Sequence, residues 1–368
     1  MATREDCAER DAHDPLALFR ARFALPEGVI YLDGNSLGAL PKVAVKRAVG
    51  VIDEEWGTGL IRSWNEADWM ELPFKVGDKI AQLVGATAGE MVACDSTSVN
   101  LFKLLAAAFA LRPERRVLLT DSDNFPTDNY VAEGIGDFLG DRVERRLVPA
   151  DEIIDAIDDD TAVVSLTHVN YRTGRIHDMA AINAAAAAHG ALTLWDLSHS
   201  AGAVPLDLNG AGADLAVGCG YKYLNGGPGA PAYVYVAQAL QQDSRSPLTG
   251  WMGHETPFEF STRYARAAGI RQMLCGSPPI LSMAAFEVGV DLLLEADLVE
   301  VRKKSIHLTD LFMQRVDERC TDNGFRVLTP RESNYRGSQV SLAHTHGFEI
   351  IEAMGNHGVV ADFRPPDL

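Results

Sequence analysis

Between residues 51 and 236, helical patterns alternate with short apolar segments, and this alternation constrains the fold more than any other feature of the chain. One predicted helix begins near Thr97 and ends near Arg112, and another, AAINAAAAAHG, is closed by Gly190. Between such helices the sequence predicts strands at residues 116–120, 162–167, 191–195 and 214–218. Because strands connected by helices run parallel, the pattern predicts an α/β fold with a mostly parallel sheet and helices on both faces.

After Pro279 the pattern changes. A long helical region, residues 280–320, is followed by short strand-like segments such as FRVLT and QVSLA. A chain of 368 residues fits about two packed domains, since single cores usually stop growing beyond roughly 250 to 300 residues. We therefore predict a large α/β domain over residues 51–265 and a smaller α+β domain formed by residues 1–50 and 266–368.

Composition excludes several classes of partner. Acidic residues outnumber basic ones by 51 to 33, and the net charge of −18 repels polyanions, so no nucleic-acid partner is expected. The five cysteines include no Cys-x-x-Cys pair, which indicates neither a disulfide framework nor a zinc site and favours a reducing, cytoplasmic setting. The cysteine pattern gives no reason to predict a metal. No signal peptide and no apolar run of about 18 residues is visible, so no membrane partner is predicted.

Two predicted strands end close to residues that can bind a ligand or react with it. Asp196 ends one predicted strand and Lys222 follows the next. Ligands of open α/β sheets bind outside the carboxyl ends of the strands, so a carboxylate and an amine can converge there on one ligand. Pyridoxal phosphate needs this pair, because its aldehyde forms a Schiff base with a lysine and its ring nitrogen must stay protonated beside a carboxylate. Thr97 and Ser98, at a helix start, would bind its phosphate, and His199 would lie against the cofactor.

A purely structural role is the alternative for each residue. A lone Asp at a strand end most often forms a turn or caps a helix, and a lone Lys most often lies in solvent. Lys222, however, is flanked by Tyr221 and Tyr223 and followed by LNGGP. This would place a charged amine in a close-packed turn, which costs free energy and is expected only where the amine has a function. The combination favours a cofactor site.

Six motifs are similar to those of the kynureninase family. They are YLDGNSLG (31–38), NFPTD (124–128), LTHVNYRTG (166–174), WDLSHSAGAVP (195–205), YKYLNGG (221–227) and GWMGH (250–254). They occur in order, and the resemblance runs from about residue 14 to the last residue. It implies fold type I of the pyridoxal-phosphate-dependent transferases, related to the class V aminotransferases, with a large domain built on a seven-stranded type of sheet.

The resemblance also implies roles for individual residues. Lys222 would be the Schiff-base lysine, Asp196 the partner of the pyridine nitrogen, and Phe125 the aromatic ring stacked on the cofactor. The other implied cofactor-site residues are Thr97, Ser98, Asp128, Thr167, His199, Tyr221, Trp251 and, from a neighbouring subunit, Ser277. An obligate homodimer with shared active sites follows. Without the motifs, Phe125 and Trp251 would be interpreted as core aromatics, Thr167 as a strand residue and Ser277 as a turn former.

The implied reaction is hydrolysis of L-kynurenine, or of 3-hydroxykynurenine, to anthranilate or 3-hydroxyanthranilate and L-alanine. Lys222 would carry the proton from the substrate Cα, and Tyr221 or the cofactor phosphate would assist addition of water to the ketone. Asn35 and Trp64 are candidate substrate contacts. The alternatives are a cysteine desulfurase or an aminotransferase on the same scaffold, or a cofactor-binding protein without activity. A desulfurase needs a nucleophilic cysteine on a mobile loop, and no such motif is recognisable.

The family pattern continues beyond GVVADFRPPDL, where this sequence stops. In the family the following segment carries an arginine that pairs with the substrate α-carboxylate, and Arg364 lies too early in the motif to be assigned that role. We therefore expect a small domain that is shortened at its C-terminus. Loss of a bidentate carboxylate clamp would weaken substrate binding more than cofactor binding.

Overall fold

The computed structural model describes residues 3–368. Its strands are β1 (Ile30–Tyr31), β2 (Met91–Ala93), β3 (Val117–Asp121), β4 (Glu144–Val148), β5 (Thr161–Thr167), β6 (Leu192–Asp196), β7 (Leu215–Cys219), β8 (Ala232–Val236), β9 (Arg326–Val327), β10 (Leu342–Ala343) and β11 (Val359–Val360).

The α-helices are α1 (Arg4–Ala12), α2 (Lys42–Gly50), α3 (Ser63–Glu66), α4 (Leu72–Val84), α5 (Thr97–Leu111), α6 (Pro126–Leu139), α7 (Met179–Ala188), α8 (Gln238–Gln241), α9 (Ile280–Leu294), α10 (Leu298–Arg319) and α11 (Gly347–Asn356). A π-helical segment, Val51–Gly59, continues α2 without a break.

The central sheet has seven strands in the order β2-β8-β7-β6-β5-β3-β4. The five strands from β7 to β4 are parallel, and β8 runs antiparallel to both of its neighbours. The prediction of a mostly parallel seven-stranded sheet is therefore confirmed. The four strands predicted from the sequence correspond to β3, β5, β6 and β7, with ends displaced by about one residue. Strands β2, β4 and β8 were not predicted from the sequence. Strand β4 (ERRLV) is a charged edge strand, and its charges discourage further pairing.

Helices cover both faces of this sheet, so its inner strands are buried throughout and consist of continuous apolar runs. On one face, Ile80 of α4 and Phe286 of α9 pack with Trp195 of β6. On the other face, Leu104 of α5 packs with Leu194 of β6. Full burial of each such side chain stabilises the fold by about 1.5 to 3 kcal/mol, which holds the strand ends in fixed positions.

The C-terminal region is built from helices and short strand pairs. The long helical region predicted for residues 280–320 consists of two helices, α9 and α10, because the Asp297 side chain accepts a hydrogen bond from the Val299 backbone N–H and starts a new helix. Strand β9 pairs antiparallel with β10, and β1 pairs parallel with β11. The N-terminal residues thus lie against the C-terminal region, while the domain boundaries stay a prediction.

Across residues 3–368, the structure contains no helix of the length and apolar character that a membrane span requires.

Candidate active site

The carboxyl ends of the parallel strands meet at one edge of the sheet, and the predicted site residues follow them. Phe125 lies after β3, Thr167 ends β5, Asp196 ends β6, and Lys222 comes shortly after β7. The parallel register β5–β6 places Thr167 directly beside Asp196. Because crossover helices return the chain to the opposite edge each time, residues far apart in sequence are brought to one place.

Lys222 lies in a tight turn, as the sequence predicts. Its carbonyl accepts a hydrogen bond from the Asn225 backbone N–H at 2.9 Å, and Asn225 has a positive φ of 55°, a conformation that Asn tolerates better than most residues. The N-terminal GNSLG motif closes the other side, where the Gly38 N–H donates to the Tyr221 carbonyl at 2.8 Å. The backbone around the lysine is therefore held from two directions.

The Lys222 amine contacts an imidazole. Its Nζ is 2.8 Å from His199 Nε2 and 5.7 Å from the centroid of the Phe125 ring. The other imidazole nitrogen, His199 Nδ1, is 3.0 Å from Gln339 Oε1. Burial, and then the positive charge of Lys222, hold the pKa of His199 well below its usual value, so the ring is neutral at neutral pH.

Asp196 presents a buried carboxylate at the same edge. Its Oδ1 accepts a hydrogen bond from the Ser198 backbone N–H at 2.7 Å. Within residues 3–368 no cationic side chain forms an ion pair with it, and burial raises its pKa. A buried carboxylate without a cation is stabilised by any ligand that brings a positive N–H to it.

A second buried carboxylate, Asp128, lies beside it on α6. Its Oδ2 accepts a hydrogen bond from Thr167 Oγ1 at 3.2 Å, and the Thr167 hydroxyl also contacts Asn124 Oδ1. Burial, and then the negative charge of Asp196, raise the pKa of Asp128 well above its usual value. The structure thus brings Asp128, Thr167 and Asp196 together, as predicted for the cofactor site.

The N-terminus of α5 is suited to an anion. Ser96 is the N-cap, and its hydroxyl accepts a hydrogen bond from the Val99 N–H. Within the described part of the chain, the backbone N–H groups of Thr97 and Ser98 have no acceptor. Free N–H groups and the positive end of the helix dipole are the elements of a phosphate site.

The remaining predicted residues lie around this centre or away from it. Tyr221 is partly exposed, with Lys222 Nζ 6.0 Å from its ring centroid, and burial of its hydroxyl raises its pKa to about 12. Trp251 and Trp64 pack edge to face, with ring centroids 5.8 Å apart. Ser277 is exposed on the segment before α9, which agrees with the expectation that it reaches a second subunit but does not test it.

Asn35 lines a cavity of about 610 Å³ between the site and the C-terminal region. Tyr171, Gln339 and Arg364 line the same cavity, whereas Trp64 does not. The structure therefore does not bring the two candidate substrate contacts together within one chain.

Sequence reasoning missed Gln339 as a site residue. It is 140 positions from His199, and its neighbours SQVS read as a plain strand segment, so no local signal marked it. Asn124 was quoted within NFPTD but given no role. Its Oδ1 accepts a hydrogen bond from the Thr167 backbone N–H at 3.1 Å, which links β5 to the segment after β3.

These residues fit pyridoxal phosphate. The unpaired buried carboxylate of Asp196 suits a pyridinium N–H, the Lys222 amine suits the aldehyde, the Phe125 ring suits the pyridine face, and the free N–H groups of Thr97 and Ser98 suit the phosphate.

The fold and the site together define a member of the fold type I class of pyridoxal-phosphate-dependent enzymes. Solved structures with the same architecture include a C-DES variant with glycine covalently linked to its PLP cofactor, with a TM-score of 0.81 and 16% identity over 95% of this chain and 92% of that chain. Another is the apo cysteine desulfurase of Thermococcus onnurineus, with a TM-score of 0.74 and 18% identity over 98% and 88% of the two chains. At such identities these likenesses establish the fold alone.

Sequence comparison identifies the family. A sequence model of the kynureninase C-terminal domain matches residues 301–368. The kynureninase of Pseudomonas fluorescens is 52% identical over 373 aligned positions, which cover 100% of this chain and 90% of that protein. The kynureninase of Burkholderia pseudomallei (strain 1106a) is 51% identical over 374 positions with the same coverage. The chain belongs to the kynureninase family, and the resemblance inferred from the motifs is confirmed.

Proposed function

We propose that this chain hydrolyses L-kynurenine to anthranilate and L-alanine with pyridoxal 5′-phosphate as its cofactor, and that it accepts 3-hydroxykynurenine to give 3-hydroxyanthranilate. The observation that carries the proposal is the convergence of the Lys222 amine and the Asp196 carboxylate at one sheet edge, in a chain about half identical to kynureninases over its whole length. A cytoplasmic location is part of the proposal and is supported by the five cysteines, which are all free.

When bound, pyridoxal phosphate supplies an aldehyde carbon for the amines of Lys222 and substrate, and a ring that accepts electrons from the bond to be broken. Asp196 would hold the proton on the ring nitrogen, and Phe125 would lie against the ring. Thr97 and Ser98 would bind the phosphate, with Tyr221 and Trp251 as further donors.

The substrate steps fall to a few side chains. Lys222 would carry the proton that leaves the substrate Cα. Tyr221 would assist the addition of water to the ketone carbon, and its raised pKa keeps the phenol protonated and able to donate a proton at neutral pH. Cleavage between Cβ and the ketone carbon then releases anthranilate, and Cβ takes up a proton to give alanine. Asn35 and Trp64 are the proposed substrate contacts.

Two measurements test the proposal. After incubation with pyridoxal phosphate and reduction with borohydride, peptide mass analysis is expected to find the label on Lys222. Incubation of the loaded protein with kynurenine is expected to produce anthranilate fluorescence and one equivalent of alanine. Label on another lysine, or no anthranilate from a fully loaded chain, would contradict the proposal.

The same preparation separates the rival activities. A cysteine desulfurase would release sulfide from cysteine, and an aminotransferase would consume kynurenine only with a keto-acid acceptor. A protein that binds the cofactor without activity would show the label on Lys222 and no product from any of these substrates.

The homodimer with shared active sites is also part of the proposal. Val45, Val49, Ile52 and Trp56, which we call the apolar stripe, lie at helical spacing along α2 and the π-helical segment and are about half exposed. Trp56 also lines an apolar concavity of about 430 Å³ with Pro279, which follows Ser277 by two residues in the chain. A second copy covering the stripe would therefore approach the segment whose serine is expected to serve the neighbouring site.

Substitution at the apolar stripe tests the dimer. We expect the unmodified chain to sediment as a dimer and Trp56→Glu to sediment as a monomer with impaired cofactor retention, because a charge is placed in an apolar interface. Leu18→Glu is the matched control, since Leu18 is 86% exposed and lies outside α2 and the π-helical segment. A dimeric Trp56→Glu variant would show that the interface lies elsewhere.

A further inference from the structure

The hydrogen bond between Lys222 and His199 depends on which imidazole nitrogen carries the proton. His199 Nε2 faces Lys222 Nζ at 2.8 Å, and His199 Nδ1 faces Gln339 Oε1 at 3.0 Å. A neutral imidazole has one donor and one acceptor nitrogen, so the group that contacts Nδ1 decides what Nε2 can do.

The orientation of the Gln339 amide follows from its other contact. Gln339 Nε2 is 2.7 Å from the Tyr171 carbonyl oxygen, which can only accept hydrogen bonds. The Gln339 NH₂ group must therefore face Tyr171, and its oxygen must face His199. The reverse orientation would place two oxygens against each other, at a carbonyl that also accepts a hydrogen bond from Arg364 Nη1.

We propose that Gln339 is a positioning residue that keeps the proton of His199 on Nδ1, so that Nε2 becomes the acceptor for the Lys222 amine. Every hydrogen bond then runs in one direction, from Lys222 to His199, from His199 to Gln339, and from Gln339 to the Tyr171 carbonyl. We call these three hydrogen bonds the relay. Its role in catalysis rests on the proposed function, whereas the tautomer of His199 does not.

The segment that carries Gln339 is firmly held. The Arg302 guanidinium donates hydrogen bonds to the carbonyls of Gly337 at 3.0 Å and Arg336 at 2.6 Å. The neighbouring Ser338 hydroxyl donates to the Ala203 carbonyl at 3.1 Å, which ties the segment to the loop after β6. A side chain on such a segment is preorganised for its partner and loses little entropy in holding it.

The relay gives the displaced lysine a defined direction. Once the substrate amine has replaced it, Lys222 is a free amine, and one of its N–H groups can donate to His199 Nε2. Its lone pair then points away from the imidazole and is available for the proton at the substrate Cα. If His199 carried its proton on Nε2, that N–H would donate to the lone pair of the free amine, and the lone pair would not be available for the proton at Cα.

The tautomer can be measured on the full chain without cofactor by ¹⁵N NMR of ring-labelled histidine, with the His199 signals assigned from a His199→Gln variant. We expect the proton on Nδ1 in the unmodified chain and in Gln339→Glu, whose carboxylate still accepts from Nδ1 although it gives up the hydrogen bond to the Tyr171 carbonyl. Gln339→Met has nearly the same shape but no acceptor, and its His199 is expected to lose the Nδ1 proton preference. Gln314→Met is the matched control, because it makes the same change on α10, where the Gln314 amide contacts Glu318 and not His199, and it is expected to resemble the unmodified chain.

The rate of cofactor capture is the second readout. We expect Gln339→Met to bind pyridoxal phosphate roughly tenfold more slowly than the unmodified chain because the amine is no longer held in place, and Gln339→Glu to recover most of that loss. A proton on Nε2 in the unmodified chain, or an unchanged tautomer in Gln339→Met, would overturn the inference. A correct tautomer in a chain that does not hydrolyse kynurenine would instead contradict only the proposed function.

Discussion

Gly38 lies against the backbone of Lys222. A Cβ atom at position 38 would come within 2.3 Å of the Lys222 carbonyl oxygen and 2.8 Å of Asn225 Cα. Real Cβ atoms do not approach backbone this closely, so only glycine allows the N-terminal segment to close over the lysine turn.

Gly38→Ala is therefore expected to displace the lysine turn or the N-terminal segment. We expect loss of about 2 kcal/mol or more of stability, or weak retention of the cofactor, because the clash is with backbone that cannot rotate away. Gly34→Ala is the matched control in the same motif, since a Cβ there meets no atom within 4 Å. Chemical denaturation and cofactor absorbance measure both effects. Equal behaviour of the two variants would show that the segment moves freely.

Asp196→Asn tests the electrostatic role of the buried carboxylate. The amide has the same shape but no charge, so it cannot stabilise a protonated ring nitrogen, and turnover of kynurenine is expected to fall by about 100- to 1,000-fold. Borohydride is still expected to attach the cofactor to Lys222. Asp214→Asn is a control for loss of a buried carboxylate, because Asp214 accepts a hydrogen bond from the Thr193 N–H away from the site. Turnover of Asp196→Asn within about threefold of the unmodified chain would be incompatible with the assigned role.

His168 is expected to make the fold sensitive to acid. Burial, and then the nearby His177, lower the pKa of His168 from 6.5 to about 4. Between pH 6.5 and pH 4, His168 is therefore protonated in the unfolded chain but neutral in the folded chain. The free energy of unfolding falls as the pH drops towards 4. The contribution is about 2 kcal/mol between pH 7 and pH 5.

Replacement of His168 by Phe removes this titration. His168 Nδ1 has no hydrogen-bond partner in the described structure, and its ring packs edge to face on Trp195 with centroids 5.8 Å apart, a contact that Phe can keep. We expect His168→Phe to match the unmodified chain near pH 7 and to be more stable than it at pH 5, as measured by urea unfolding. Parallel stability curves for the two proteins over this range would refute the prediction.

Lys103 is a buried cation on α5 that contacts Asp95, the residue before the N-cap Ser96 of that helix. It is 0% exposed, and its Nζ donates hydrogen bonds to Asp95 Oδ2 at 2.7 Å and to the Met273 carbonyl at 2.8 Å. Lys103→Met leaves both acceptors without their donor, so we expect a loss of about 3 kcal/mol in the free energy of unfolding, somewhat reduced because Asp95 is partly exposed.

The control for Lys103 is Lys75→Met. Lys75 pairs with Asp68 on the surface, where ion pairs contribute little, so the expected loss is below about 1 kcal/mol. Urea unfolding of both variants gives the comparison. Losses that agree within about 0.5 kcal/mol would mean that the Lys103 contacts contribute no more than a surface pair.

The sheet and the positions of its site residues could be predicted because they depend on local patterns. Apolar runs predicted β3, β5, β6 and β7. Short or charged strands such as β4 were not predicted because their sequences resemble loops or surface segments. The break between α9 and α10 was missed because Asp297 interrupts an otherwise helical pattern at a single position. The individual site roles and the domain boundaries stay predictions.

The sequence by itself determined the parallel sheet, the family, and the placement of Asp196 and Lys222 at one edge, because parallel strands deliver their carboxyl ends to the same side of a sheet. Only the tertiary structure decided that Gln339 faces His199, that Gly38 closes over Lys222, and that Lys103 is buried against Asp95 and the Met273 carbonyl. Most of these contacts join segments far apart in the chain. Their geometry is set by how whole helices and strands pack, which no local pattern of residues records.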